Sequence, residues 1–271
     1  MPKAANCVAI AVFLCANVLG AQVQPARGLP LEEFARQTCP GHQWVSQAGH
    51  KPRLGCAVCP EGSAPAIDDD SAILGKVLTG RFTESGSAEA LVWFEGCGSL
   101  QRPGFTVLFQ RSNRVWHKVW LNADFGVNNC DVYKNAKGRD LLLCNEGLHF
   151  RGFESYTRLI LEIDPEKPKE QEDLYSVIDT RMFCSGAIVK TTDKWRFVDI
   201  DKDGANDLLV NIQIFKGRAD EGCKAEFPTV PLSFRLEFLF KFGHFKPTTD
   251  TIAAVEEMRK IWATVDFDNR Y

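Results

Sequence analysis

Asp199, Asp201, Asp203 and Asp207 stand in the pattern Asp-x-Asp-x-Asp-Gly-x-x-Asp, with Gly204 after the third acid. Carboxylates at alternating positions of a tight loop all point inward. Calcium, a hard cation taking roughly six to eight oxygen ligands, is what such a loop holds. Glycine at the sixth position permits the sharp turn, the Ala205 carbonyl supplies the next oxygen, and Asp207 completes the shell. The expected cofactor is Ca2+ at one site, in a structural role: it neutralises clustered carboxylates and fixes the loop. At ordinary Asp and Gly frequencies the pattern arises by chance in roughly one chain in several thousand. The competing reading is an Asp/Gly turn without metal. An EF-hand is excluded, because position 12, which needs a bidentate Glu, is Val210.

Other chemistry is thinner. Cys56-Ala-Val-Cys59 is followed by Pro60, Glu61 and Gly62, which favour a turn over the helix N-terminus that activates a redox thiol. No second CxxC and no His pair at finger spacing completes a zinc site, so disulfide stapling is the favoured reading. Gly96-Cys97-Gly98-Ser99-Leu100 lacks the last glycine of a nucleophile elbow, and there is no HExxH and no phosphate loop. His42, His50, His117, His149 and His244 are scattered, and Asp68-Asp69-Asp70 reads as a solvated turn. An enzyme is not favoured. Paired carboxylates on separate strands leave a secreted hydrolase as the least favoured alternative.

The acidic loop is expected to sit between two strands, Trp195–Asp199 and Leu208–Phe215, and two other segments share its texture. Gly80 to Val92 and Lys134 to Leu143 each run from a glycine-bearing polar loop through an acid, Glu89 or Asp140, into an aliphatic strand. Between these loops, Phe105–Gln110 and Val115–Trp120 read as a hairpin turning at Ser112-Asn113. Ser233–Lys241 and Phe245 read as another, turning at Gly243-His244. Ile163 to Asp173 is expected as a charged loop. Leu31–Gln37 is compatible with a short helix. Thr251–Val265 places Ile252, Val255, Met258, Ile261, Trp262 and Val265 on one helical stripe, capped by Thr249 or Asp250, with Glu256 and Lys260 as an i,i+4 pair.

A DxDxDGxxD loop between strands, followed at once by Leu208-Leu209-Val210, resembles the FG-GAP or VCBS repeats of integrin-like β-propellers. The resemblance implies a loop that holds calcium between the strands of a blade, and a propeller face that binds ligands or partners. It is specific over Asp199 to Val210. In the other two units Arg81, Thr83 and Ser85, or Val132, Lys134 and Ala136, stand where the leading carboxylates belong, so one cation site is expected. Three units are visible, against roughly 4–8 blades in closed propellers. The expected fold is mainly β: antiparallel blade-like repeat units, a disulfide-stapled N-terminal segment and a C-terminal helix.

Met1 to Ala21 has one basic residue, an apolar run from Ala4 to Leu19 and small residues at Gly20 and Ala21, the layout of a secretory signal. Cleavage after Gly20 or after Ala21 both fit, with Ala21 preferred; an uncleaved anchor is the alternative. The ten cysteines then fall to eight, an even number suited to disulfides in a secreted or periplasmic chain. Eight cysteines allow on the order of a hundred pairings. Proximity favours Cys130 with Cys144 and Cys184 with Cys223, leaving Cys39, Cys56, Cys59 and Cys97 to pair among themselves. Residues 22–72 form a Cys-rich segment read as an irregular cap, 73–249 the β domain, and 250–271 a helix and tail packed on it. A net charge of −3 advertises neither nucleic acid nor an anionic membrane. No second long apolar stretch follows, so no membrane span is expected in the mature chain, and a monomer is expected. The function expected is an exported, non-catalytic binding or adhesion module with a protein or glycan ligand. The alternative is a structural, envelope-associated protein with no small ligand.

Overall fold

Short runs of β-branched and aromatic residues between tight turns build antiparallel ladders. The computed structural model of the chain consists largely of such ladders, and it describes residues 29–45, 53–63, 71–83, 87–97, 104–123, 125–135, 138–150, 153–164, 168–181 and 186–265. The chain divides into two units, Met1–Pro30 and Leu31–Tyr271. Of the first, only residues 29 and 30 are described, so the expected signal peptide lies outside the described residues. All elements below belong to the second unit.

Helix α1 (Leu31–Thr38) precedes a six-stranded meander of β1 (His42–Val45), β2 (Arg53–Cys56), β3 (Ala72–Gly80), β4 (Ala88–Gly96), β5 (Phe105–Ser112) and β6 (Val115–Asn122). The Cys-rich segment is thus more than an irregular cap, because it adds two strands to the sheet. Disulfides Cys39–Cys56 and Cys59–Cys97 tie α1 to β2, and the turn after β2 to the end of β4. Phe34 of α1 is fully buried, 4.5 Å from the Phe109 ring and 5.3 Å from Trp116. The Gln37 amide donates to the Trp116 carbonyl at 2.7 Å and accepts from the Lys118 N–H at 3.1 Å. It therefore pairs with the open edge of β6 much as a further strand would.

The second sheet runs β10-β9-β8-β7, from β7 (Cys130–Tyr133), β8 (Leu141–Phe150), β9 (Phe153–Ile163) and β10 (Pro168–Asp179). Cys130 and Cys144 face each other in register and are joined by a disulfide, as proximity suggested. The expected charged loop, Ile163 to Asp173, is mostly strand. β10 is an edge of this sheet, and its pairing with β9 carries two register breaks of the kind that discourage pairing with another chain.

The third sheet comprises β11 (Gly186–Val198), β12 (Asp207–Ala219), β13 (Ala225–Glu226), β14 (Leu232–Lys241) and β15 (His244–Pro247). Its order is β11-β12-β14-β15, with β13 also on β12. The sheets curl into half-barrels. Two turns fall one residue away from where the composition implied, the first later and the second earlier. Asn113-Arg114 (φ 51° and 68°) joins β5 to β6, and Phe242-Gly243 (φ 55° and 86°) joins β14 to β15. Both have the pair of positive φ angles that suits the twist of a two-residue hairpin.

Helix α2 (Thr249–Trp262) is capped by Thr248, one residue before the expected positions, through a bond from the Thr251 N–H. The expected apolar stripe is shifted too. Ile252 is exposed, and Thr251 takes the inward place in the first turn, its hydroxyl bonded to the Glu237 backbone. Positions 251, 255, 258 and 262 then follow the helical period, and a stripe begun at Ile252 does not. Glu256 pairs with Arg259 at 3.7 Å, not with Lys260.

One core lies between the first and second sheets, around Phe82, Leu108, Leu142 and Leu159. A larger core joins the second and third sheets to α2, around Tyr133, Tyr175, Val210 and Met258. A polar clasp spans this junction. Asp193 of β11 accepts from Arg158 at 3.1 and 3.3 Å, from Tyr175 at 2.8 Å and from Tyr156 at 3.3 Å.

Candidate metal centre

Three loops share one device. Glu89, Asp140 and Asp207 stand at or beside the start of β4, β8 and β12, and all three side chains are buried. Each carboxylate accepts backbone N–H groups from the loop before it: Phe82 and Thr83 for Glu89, Asn135 for Asp140, Ile200 for Asp207. A buried carboxylate costs stability unless such donors satisfy it, so each acid fixes its loop against the strand it begins. The similarity read from spacing is thus physical.

The loops differ in what completes the carboxylate. In the first, the longer Glu89 reaches Thr83, whose hydroxyl donates to it. Thr83 holds the place of Asp201. In the second, Lys134 holds that place, and its ammonium lies 3.0 Å from Asp140, with the Arg81 guanidinium at 3.5 Å. In the third, aspartates replace these donors.

The third loop brings Asp199, Asp201 and Asp207 together, with one carboxylate oxygen from each within 4.8 Å of the others. Two oxygens on one calcium ion stand at most about 5 Å apart, twice a bond length of about 2.4 Å, so the three acids fit the ion. Gly204 has φ +86°, with nothing within 4 Å of where a Cβ would sit. It is needed for its backbone conformation rather than for space. Ala205 follows it, and its N–H donates to Asp203 at 2.8 Å. Asp203 is not one of the three converging acids; its carboxylate bonds the same Lys241 ammonium as Asp201 does. Among the described residues no other group of three or more His, Cys, Asp or Glu side chains has metal-site geometry.

A residue that the pattern did not point to also enters the site. Lys241, at the end of β14, bonds Asp201 and Asp203 with its ammonium. Hydrogen bonds to Asp201 and then Asp203 hold that ammonium protonated above the usual lysine range. Asp207 is braced from the same strand by the Phe240 N–H at 2.8 Å. The Tyr133 hydroxyl donates to the Asn206 carbonyl at 2.5 Å, and burial, followed by the charges of Asp207 and Asp203, raises its pKa. Beside the loop lies a cleft of about 470 Å³ lined by Tyr133, Lys134, Asp203, Asn206, Lys241 and Phe242. Phe242 stands at its rim, 94% exposed.

The remaining candidates are resolved by their partners. Cys56 and Cys59 belong to separate disulfides and form neither a dithiol pair nor a zinc knuckle. Cys223 is disulfide-bonded, while Cys184 and Asp68–Asp70 lie outside the described residues. No helix among the described residues is long and apolar enough to cross a membrane. No protein-family model, curated protein or solved structure matches this chain.

Proposed function

We propose that the protein is an exported, calcium-binding, non-catalytic binding or adhesion module of the FG-GAP/VCBS type, with one structural ion held by Asp199, Asp201, Asp207 and the Ala205 carbonyl. The observation that carries this reading is the convergence of three carboxylates on the scaffold that the other two loops complete with a hydroxyl or an ammonium. Disulfides across the first two sheets support an oxidising, extracytoplasmic location. The ion would fix the loop that joins β11 to β12, so its effect is on stability and on the shape of the adjoining cleft.

A second reading has its own observation: Lys241 already supplies a positive charge to Asp201 and Asp203. In that case the loop is closed by an internal ion pair, as the second loop is by Lys134, and needs no metal. Thermal melts of the purified protein in calcium and in EDTA separate the two. A hundredfold excess of calcium over its Kd adds about 2.7 kcal/mol, which corresponds to roughly 5–10 °C in Tm. The calcium reading predicts that shift, and superimposable melts would favour the ion pair.

A further inference from the structure

The two faces of the third sheet differ sharply in chemistry. Strand alternation sends Trp195, Val210 and Leu236 inward to the core. The opposite face carries Lys194, Asn211 and Arg235 in one cross-strand row, and Thr192, Gln213 and Ser233 in the next. Lys190 and Arg196 flank these rows on β11. Lys194, Arg196, Asn211, Gln213, Ser233 and Arg235 are all exposed. This face therefore gathers four cations in a chain whose formal charge is −3, with Glu237 the one acid among these rows. Glu237 is taken by Arg235 at 2.7 Å. Among the described residues no carboxylate forms an ion pair with Lys190, Lys194 or Arg196.

We infer that this face binds an anionic polysaccharide, one bearing carboxylate or sulfate groups along a hydroxyl-rich chain. Guanidinium and ammonium groups bind those anions by charge-assisted hydrogen bonds. The side-chain amides and hydroxyls between them match sugar hydroxyls in the donors and acceptors they offer. Lys194 and Arg196 stand about 7 Å apart along the strand, so an extended polymer can meet both at once. The face lacks what other polyanions and partners require. Of its aromatics among the described residues, Phe215 lies beneath the Lys190 ammonium at 5.6 Å and the partly buried Phe227 ring lies over Gly217, so neither is a free stacking platform for bases. Among the described residues it exposes no apolar centre for a protein interface and no apolar wedge for a lipid surface, since Leu209, in the Arg196 row, is buried. The surface is distinct from the acidic loop and does not require that loop to hold calcium.

The test is a fluorescence titration of labelled heparin and oligogalacturonate fragments with the full chain, in EDTA at low ionic strength, beside neutral dextran and a single-stranded oligonucleotide. One or both anionic saccharides are expected to bind, and dextran is not. The double variant Lys194→Glu/Arg196→Glu, checked by circular dichroism for folding, is expected to weaken binding about tenfold or more. Lys260→Glu, an exposed reversal on α2, should change it less than about twofold. Asn211→Ala/Gln213→Ala keeps every charge and should weaken saccharide binding several-fold through lost hydrogen bonds. The inference is overturned if neither anionic saccharide binds, if the charge-reversed variant binds as the unaltered chain does, or if the oligonucleotide binds more tightly than both saccharides. Because EDTA is present throughout, failure here leaves the calcium reading untouched.

Discussion

At the scale of single residues, the question at the acidic loop is which cation Asp201 meets. Lys241 and a calcium ion would compete for that carboxylate, so Lys241→Gln should tighten calcium binding several-fold, measured by titration. Weaker binding in that variant would mean that the ammonium supports the site. Asp193 poses the opposite case, a buried charge held by protein groups alone. Its partner Arg158 is mostly buried, and burial acts to lower its pKa, but the bond and charge of Asp193 outweigh this and raise it. Asp193→Ala would strand that guanidinium and should cost about 3–5 kcal/mol by chemical denaturation. The three loop anchors were legible in the sequence because each acid binds an N–H five to seven residues upstream, a distance that local spacing reveals. Lys241 was not, because it reaches Asp203 across 38 residues and only the pairing of β14 with β12 brings it there.

At the scale of elements, edges explain most of what the sequence concealed. The second and third sheets place β10 and β11 at edges, and β10 reads as a loop because Glu170, Glu172 and Asp173 interrupt any apolar alternation. The strands β1 and β2 were hidden in the same way by the Cys, Gly and Pro of their segment. Runs such as Phe105–Gln110 were legible because their partners lie next to them in sequence. The edge of β6 is closed by one side chain from α1, separated from its partners by about eighty residues and invisible to any periodicity. Gln37→Ala should cost about 1 kcal/mol, since it removes one part-buried and one exposed hydrogen bond at once. A denaturation midpoint unchanged from the parent would show that water replaces the amide without loss.

At the scale of the whole molecule, disulfides brace the first two meanders internally, two cores and a polar clasp join the three, and the clasp gives stability a pH dependence. Burial and then the charge of Asp193 raise the pKa values of Tyr156 and Tyr175 above the ordinary 10.0, and Tyr133 is raised by burial and its own acidic neighbours. Above pH 10 the unfolded chain gives up tyrosine protons that the folded chain keeps, so stability must fall as pH rises through that value. Lys76, whose pKa is lowered by burial, works in the opposite sense but is one group against three. Melts at about pH 9 and about pH 11 should differ, and Tyr175→Phe should reduce the difference. The central claim, that the third loop holds an ion where its relatives hold a hydroxyl or an ammonium, is tested most directly by calorimetric titration of calcium into the EDTA-stripped protein. One site with Kd of about 10⁻⁶–10⁻³ M is expected, abolished in Asp201→Ala. No binding at millimolar calcium, or equal binding by Asp201→Ala, would contradict it.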